Sequence, residues 1–247
     1  MEAVQRALLP EKHRFQPAAV PCRCVVRIRI MKILLTGFEP FGGEVINPSW
    51  EVARSLHGHV IAGATVQARC LPTTFAGAPR ALADALAAVK PGLVVALGLA
   101  SGRSEISIER VAVNLIDARM PDNAGERPQD VPVRADAPAA YFSTLPIKAI
   151  RNGLRAAGHP AGLSLTAGAF VCNQLFFELQ HRLAGRGLRS GFIHLPALPE
   201  QAARTQPAVP SMGLGAQIDA IKLALAIALA GDEQAAAAQA DEGAPTS

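Results

Sequence analysis

The chain has 247 residues, half of them hydrophobic and 18% charged. That balance buries a sizeable core and excludes disorder over most of the length. The net charge of +4 sits in residues 1–30, which hold six Lys or Arg against two Glu, while the remaining residues sum to zero; a neutral body leaves no electrostatic footprint for DNA or RNA.

Residues 1–30 read unlike the rest. They hold no apolar run of signal-peptide length, and they end in Arg alternating with Val or Ile. They are expected to be a poorly ordered extension, either upstream of a true start at Met31 or a targeting segment or basic arm. Met31-Lys32-Ile33-Leu34-Leu35-Thr36-Gly37 then opens the domain as its first strand. Strands are expected over 32–36, 64–70, 93–98, 106–115, 162–167 and 190–195, short runs of Val, Ile and Leu that end at Gly or Pro. Helices are expected over 48–56, 76–89, 145–157, 173–184 and 215–230. Asn47 suits an N-cap with Pro48 at the first helical position, and Gly158 and Gly185 suit C-terminal stops. The Pro-, Asp- and Gly-rich stretch 120–140 predicts a long irregular loop of the kind that covers or binds a ligand. Asp219 and Lys222 interrupt the apolar segment 214–230. The run after Lys222 is too short to cross about 30 Å of hydrocarbon at about 1.5 Å per residue, so no membrane span is expected. The tail 231–247 is expected to be disordered. Residues 31–230 thus read as a single α/β domain, with a mostly parallel sheet covered on both faces.

Four cysteines (Cys22, Cys24, Cys70, Cys172) do not make a disulfide framework in a chain this long and read as reduced thiols. A single residue separates Cys22 from Cys24 and no second ligand pair follows, which is not the spacing of a zinc site. The Gly-rich segments Gly37-Phe38-Glu39-Pro40-Phe41-Gly42-Gly43 and Gly98-Leu99-Ala100-Ser101-Gly102-Arg103 lack dinucleotide or P-loop spacing. They are turns at carboxyl ends of strands, where open α/β sheets bind ligands.

Cys172 carries the sharpest signal. Strand, small-residue turn and helix follow one another around Ala167-Gly168-Ala169-Phe170-Val171-Cys172-Asn173. A thiol at a helix start meets unpaired N–H groups and the positive end of the dipole, which favour the nucleophilic thiolate. A buried inert thiol is the plain alternative. Among six histidines, only His194 ends an apolar strand. If strands 162–167 and 190–195 are parallel neighbours in a right-handed βαβ unit, Cys172 and His194 meet at one sheet edge as nucleophile and base. Glu109, inside the apolar strand 106–115, needs a partner if buried and could orient the imidazole. Pairing with adjacent Arg110, or an exposed strand face, is the plain alternative.

These residues sit in blocks that resemble the pyroglutamyl peptidase I family of cysteine peptidases. The blocks are Leu35-Thr36-Gly37-Phe38-Glu39-Pro40-Phe41-Gly42-Gly43 with Asn47-Pro48-Ser49-Trp50, then Gly98-Leu99-Ala100-Ser101-Gly102-Arg103 and Glu109-Arg110-Val111-Ala112-Val113-Asn114. Ala118-Arg119-Met120-Pro121-Asp122-Asn123, the Cys172 segment, and Phe192-Ile193-His194-Leu195-Pro196 with Pro199-Glu200-Gln201 follow. The resemblance implies a three-layer α/β/α sandwich around a mostly parallel twisted sheet. It implies hydrolysis of the bond after an N-terminal pyroglutamyl residue by Cys172, His194 and Glu109, through a thioester. No metal or other cofactor, a cytoplasmic location and a homotetramer go with it. Phe38, Phe41, Phe170 and Val171 match the family's ring-binding positions, Thr73 and Met120 match more loosely, and Arg119 matches an active-site arginine. Leu99 departs from the family, standing where some members carry a polar residue. A nucleoside-phosphorylase-like enzyme, which would need a basic phosphate cradle where only Arg103 and Arg119 stand, and an inactive small-molecule binder are the competing readings.

Overall fold

The computed structural model describes residues 31–241, with side chains to residue 230. The expectations for residues 1–30 and for 242–247 lie outside the described residues. The apolar run after Met31 forms β1 (Lys32–Phe38), buried from Ile33 onward. In α1 (Pro48–Ser55), Asn47 is extended and its side chain accepts from the Ser49 N–H, while Pro48 fills the first turn, where an N–H would be unpaired. The hairpin β2 (Val60–Ile61) and β3 (Ala64–Leu71) leads to α2 (Gly77–Val89), which stops at Lys90 in the left-handed region. Then come β4 (Leu93–Leu99), β5 (Ile106–Glu109), β6 (Val111–Val113) and β7 (Ala140–Phe142). In α3 (Ile147–Ala156), Ile150 and Leu154 lie one turn apart and are the buried pair. β8 (Ala161–Ser164), α4 (Val171–Leu183), β9 (Arg189–Leu195), the single turn α5 (Pro199–Ala202) and α6 (Leu214–Asp241) complete the domain.

One seven-stranded sheet runs in the order β2-β3-β1-β4-β9-β5-β8. Its centre, β3-β1-β4-β9, is parallel. Alternation along each strand sorts side chains between two cores. Ile33 and Leu35 of β1 and Val95 and Leu97 of β4 face α1, α3 and α6, whereas Leu34, Phe38, Val94 and Ala96 face α2 and α4. This is the expected three-layer sandwich. Burial of each Leu or Ile contributes about 1.5–3 kcal/mol, so the two cores hold the helices to the sheet.

Three expectations are corrected. The strand over 106–115 breaks at Arg110: its N–H still reaches Ser164 O (2.8 Å), but its carbonyl accepts from Ser143 (2.9 Å), and β6 leaves to pair with β7 in a separate ribbon. Strands β8 and β9 are not parallel neighbours. β5 lies between them, antiparallel to β9 and parallel to β8, so the right-handed βαβ unit is not formed. The reason is chain length: residues 100–105 between β4 and β5 are too few for a parallel crossover, so β5 runs back against the sheet. The terminal helix, expected over 215–230, runs on to Asp241.

Candidate active site

Period-two alternation puts Gly98 of β4, Phe192 and His194 of β9, and Glu109 of β5 on the face toward α4. Gly98 and His194 are register partners across the β4–β9 ladder. A Cβ added to Gly98 would lie 2.8 Å from the Phe192 ring and 3.1 Å from Cys172 Sγ. The thiol therefore rests over the backbone of β4, beside the strand that carries His194. Only glycine permits this approach.

Glu109 is fully buried, and its Oε1 is shared by two donors. His194 Nδ1 lies 2.8 Å away and Arg103 Nη1 2.7 Å away. The other carboxylate oxygen, Oε2, is buried with no hydrogen-bond partner among the described residues. The adjacent Arg110 is exposed and is not the partner. With the carboxylate ionised, Nδ1 carries the hydrogen and the lone pair of Nε2 is left to act as base. The imidazole also packs against Phe192, ring centroids 4.8 Å apart, which limits its swing.

The start of α4 is fixed from outside the helix. Gly168 takes φ +81°, a left-handed turn that suits glycine, and Phe170 is the extended N-cap without a side-chain cap. Asn173 supplies the anchor. Its Nδ2 donates to Val113 O and Leu115 O (2.9 Å each) and its Oδ1 accepts from the Val113 N–H (3.0 Å), so the side chain pairs with β6 as a strand would. Cys172, one residue earlier, is half-buried. Burial pushes its thiol up to about 12, and the Glu109 charge adds to this; its own backbone N–H and Arg103 pull the other way. Loss of solvation thus opposes the N–H groups at this helix start and raises the thiol, where the position at a helix start was expected to lower it.

The aromatic positions divide. Phe170 packs between Phe41 (5.2 Å) and Phe75 (5.1 Å, edge-on), and Phe41 and Phe170 are half-buried. Phe38 and Val171 lie wholly in the α2/α4 core. Thr73 is buried, its N–H on Glu39 Oε1 (3.0 Å) and its hydroxyl on Glu39 O (3.1 Å). Met120 and Arg119 are exposed. Leu99 is half-buried opposite Leu195. Sequence reasoning missed Phe75 and its supports. Asp122 Oδ2 accepts from the Phe75 N–H (2.7 Å) and Gln174 Nε2 donates to Phe75 O (3.0 Å). Both contacts span many residues, and no local pattern announces them. Asn173 could have been found, since a buried amide beside a candidate nucleophile needs partners.

Among the described residues no His, Cys, Asp or Glu cluster is arranged to hold a metal ion, and no helix is long and apolar enough to cross a membrane. The family model for pyroglutamyl peptidase matches residues 31–231. The chain belongs to the pyroglutamyl peptidase family. Within that family, the pyrrolidone-carboxylate peptidase of Erwinia tasmaniensis is 53% identical over 202 residues, which are 82% of this chain and 94% of that protein. The one from Chromobacterium violaceum is 55% identical over 197 residues, 80% and 92% of the two chains. Among solved structures, pyroglutamyl peptidase I of Bacillus amyloliquefaciens shares 41% identity at a TM-score of 0.78, covering 81% of this chain and 97% of that one. A variant pyrrolidone carboxyl peptidase from Pyrococcus furiosus gives 46% identity and the same TM-score of 0.78, covering 81% and 98%. All the side chains described above lie within the family match.

Proposed function

We propose that the chain is a cysteine peptidase that removes an N-terminal pyroglutamyl residue from peptides. Cys172 is the nucleophile, His194 the general base and acid, and Glu109 the group that orients the imidazole. The observation that carries this is the buried 2.8 Å contact of His194 Nδ1 with Glu109, beside a thiol lying over the register partner of His194. The thiol proton passes to His194 Nε2 as Sγ bonds to the carbonyl carbon that joins pyroglutamate to the next residue. The imidazolium then gives that proton to the leaving nitrogen, the C–N bond breaks, and a thioester remains. Water, deprotonated by the same imidazole, attacks the thioester; pyroglutamate leaves and the sulfur recovers its proton. The N–H groups of the first turn of α4 suit the developing oxyanion. The compact, uncharged lactam suits apolar walls, and Phe41, Phe75 and Phe170 offer them, with Phe38, Val171 and Thr73 buried nearby; contact of the exposed Met120 and Arg119 with substrate is part of this proposal.

A phosphate-binding reading is less well supported, because Arg103 is committed to Glu109. The test is a fluorogenic pyroglutamyl amide with the full chain and with Cys172→Ala. Turnover that the variant abolishes supports the proposal; a folded wild type without turnover overturns it. The homotetramer implied by the resemblance belongs to this proposal and is checked by sedimentation equilibrium.

A further inference from the structure

Arg103 stands outside the three groups just assigned, yet its side chain spans the site. It lies in the turn after β4, following Gly102 at φ +93°. One guanidinium nitrogen meets Glu109 Oε1 at 2.7 Å, the same oxygen that His194 uses. The other donates to Thr166 O at 3.1 Å, on the segment that leads from β8 to Cys172. The plane of one guanidinium thus ties the carboxylate of β5 to the chain that delivers the nucleophile.

A fully buried carboxylate needs a permanent counter-charge, because an unpaired buried charge is very costly. His194 cannot supply it throughout the reaction, since it must be neutral to accept the thiol proton. Arg103 can, since a guanidinium stays charged at any pH at which the enzyme works. Its side chain is about one-third exposed, so the pair is partly open to solvent.

We infer that Arg103 is a positioning residue of the peptidase: it supplies the counter-charge to Glu109 and keeps it aimed while His194 gains and loses its proton, and it sets the spacing between β5 and the loop before Cys172. The inference rests on the roles proposed above for Cys172, His194 and Glu109. The charged and titratable groups that meet there are Arg103 from the β4–β5 turn, Glu109 from β5, His194 from β9 and Cys172 from α4. Without the cation, the proton that must leave this cluster before attack leaves at higher pH, so the acid limb of activity moves up.

The experiment compares wild type, Arg103→Met, Arg103→Gln and Arg103→Lys as full chains. Two readouts are taken against pH: kcat/KM on a fluorogenic pyroglutamyl amide, and the iodoacetamide reaction of Cys172, with Cys172→Ala as background. Removing a charged hydrogen bond lowers kcat by about 10–100-fold with little change in KM. The acid limb and the alkylation profile of Arg103→Met move up by about half a unit to one unit, reduced from the effect of a buried neighbour by the partial exposure. Arg103→Lys keeps the charge and the limb, losing less than about tenfold because one ammonium cannot hold both acceptors rigidly. A folded Arg103→Met with limbs coincident with wild type overturns the inference, whatever its rate. If that variant does not fold, Arg103→Gln is read the same way. Failure of the peptidase reading is separate: it shows as no wild-type turnover, while the alkylation profiles still report on Arg103.

Discussion

A thiol held up to about 12 by burial has consequences at Cys172 that a helix-start thiolate would not have. At pH 7 its reaction with iodoacetamide is slower than that of a free solvent thiol, and it accelerates as pH rises past about 9. A measured rate above that of a free thiol at pH 7 would contradict this. The same group links to stability. An unfolded thiol ionises near about pH 8.5, whereas the folded one keeps its proton to about 12. Within that window the unfolded chain binds fewer protons, so stability falls as pH rises; below it Cys172 contributes no slope. Urea midpoints measured from about pH 8 to 10 therefore fall more steeply in wild type than in Cys172→Ala. Glu109→Gln keeps the shape but removes the charge that fixes the imidazole tautomer. It is expected to lower kcat by about 10²–10⁴-fold with a small change in KM, measured by steady-state kinetics.

At the level of elements, β4 and α4 meet where neither tolerates bulk. Gly98→Ala drives a methyl into the fully buried Phe192 ring and toward the Cys172 sulfur. Overpacking of this kind costs about 1–3 kcal/mol, and the displaced thiol lowers kcat beyond what the lost stability explains. A melting curve and a kcat at one temperature separate the two effects. Asn173→Leu removes two hydrogen bonds to Val113 of β6 and one to Leu115 just beyond it, leaving the Val113 N–H and two carbonyls without that partner. The expected cost is about 1–3 kcal/mol, read from denaturant unfolding, with loss of activity as α4 loses its anchor. The existence of β4, α4 and β9 was legible in their apolar runs and flanking glycines. The break at Arg110 was not, because apolar residues continue on both sides of it and the turn depends on pairing with β7, about thirty residues away in sequence.

For the molecule as a whole, α6 closes one of the two cores, with Ile221 and Leu225 fully buried against the α1/α3 face of the sheet. Leu225→Ala leaves a cavity there and costs about 2–5 kcal/mol, seen as a lower denaturation midpoint with kcat unchanged, since the site lies across the sheet. The seven-stranded sheet also explains how Cys172 and His194 meet without the expected βαβ unit. β8 runs opposite to β9, and the segment 165–170 carries the chain back to the edge where β4 and β9 end.

The sequence by itself determined the alternation of strands and helices, the α/β class, the capping of α1, and Cys172, His194 and Glu109 as the residues to watch. Each of those is written in local pattern: an apolar period, a capping residue before a proline, a thiol after a small-residue turn. Tertiary structure alone decided which face each strand presents to α4, that β5 would come between β8 and β9, that desolvation would push the Cys172 thiol up, and that Arg103 rather than Arg110 would neutralise Glu109. Those outcomes depend on contacts between segments far apart in the chain, and on burial, which exists only once the layers have packed.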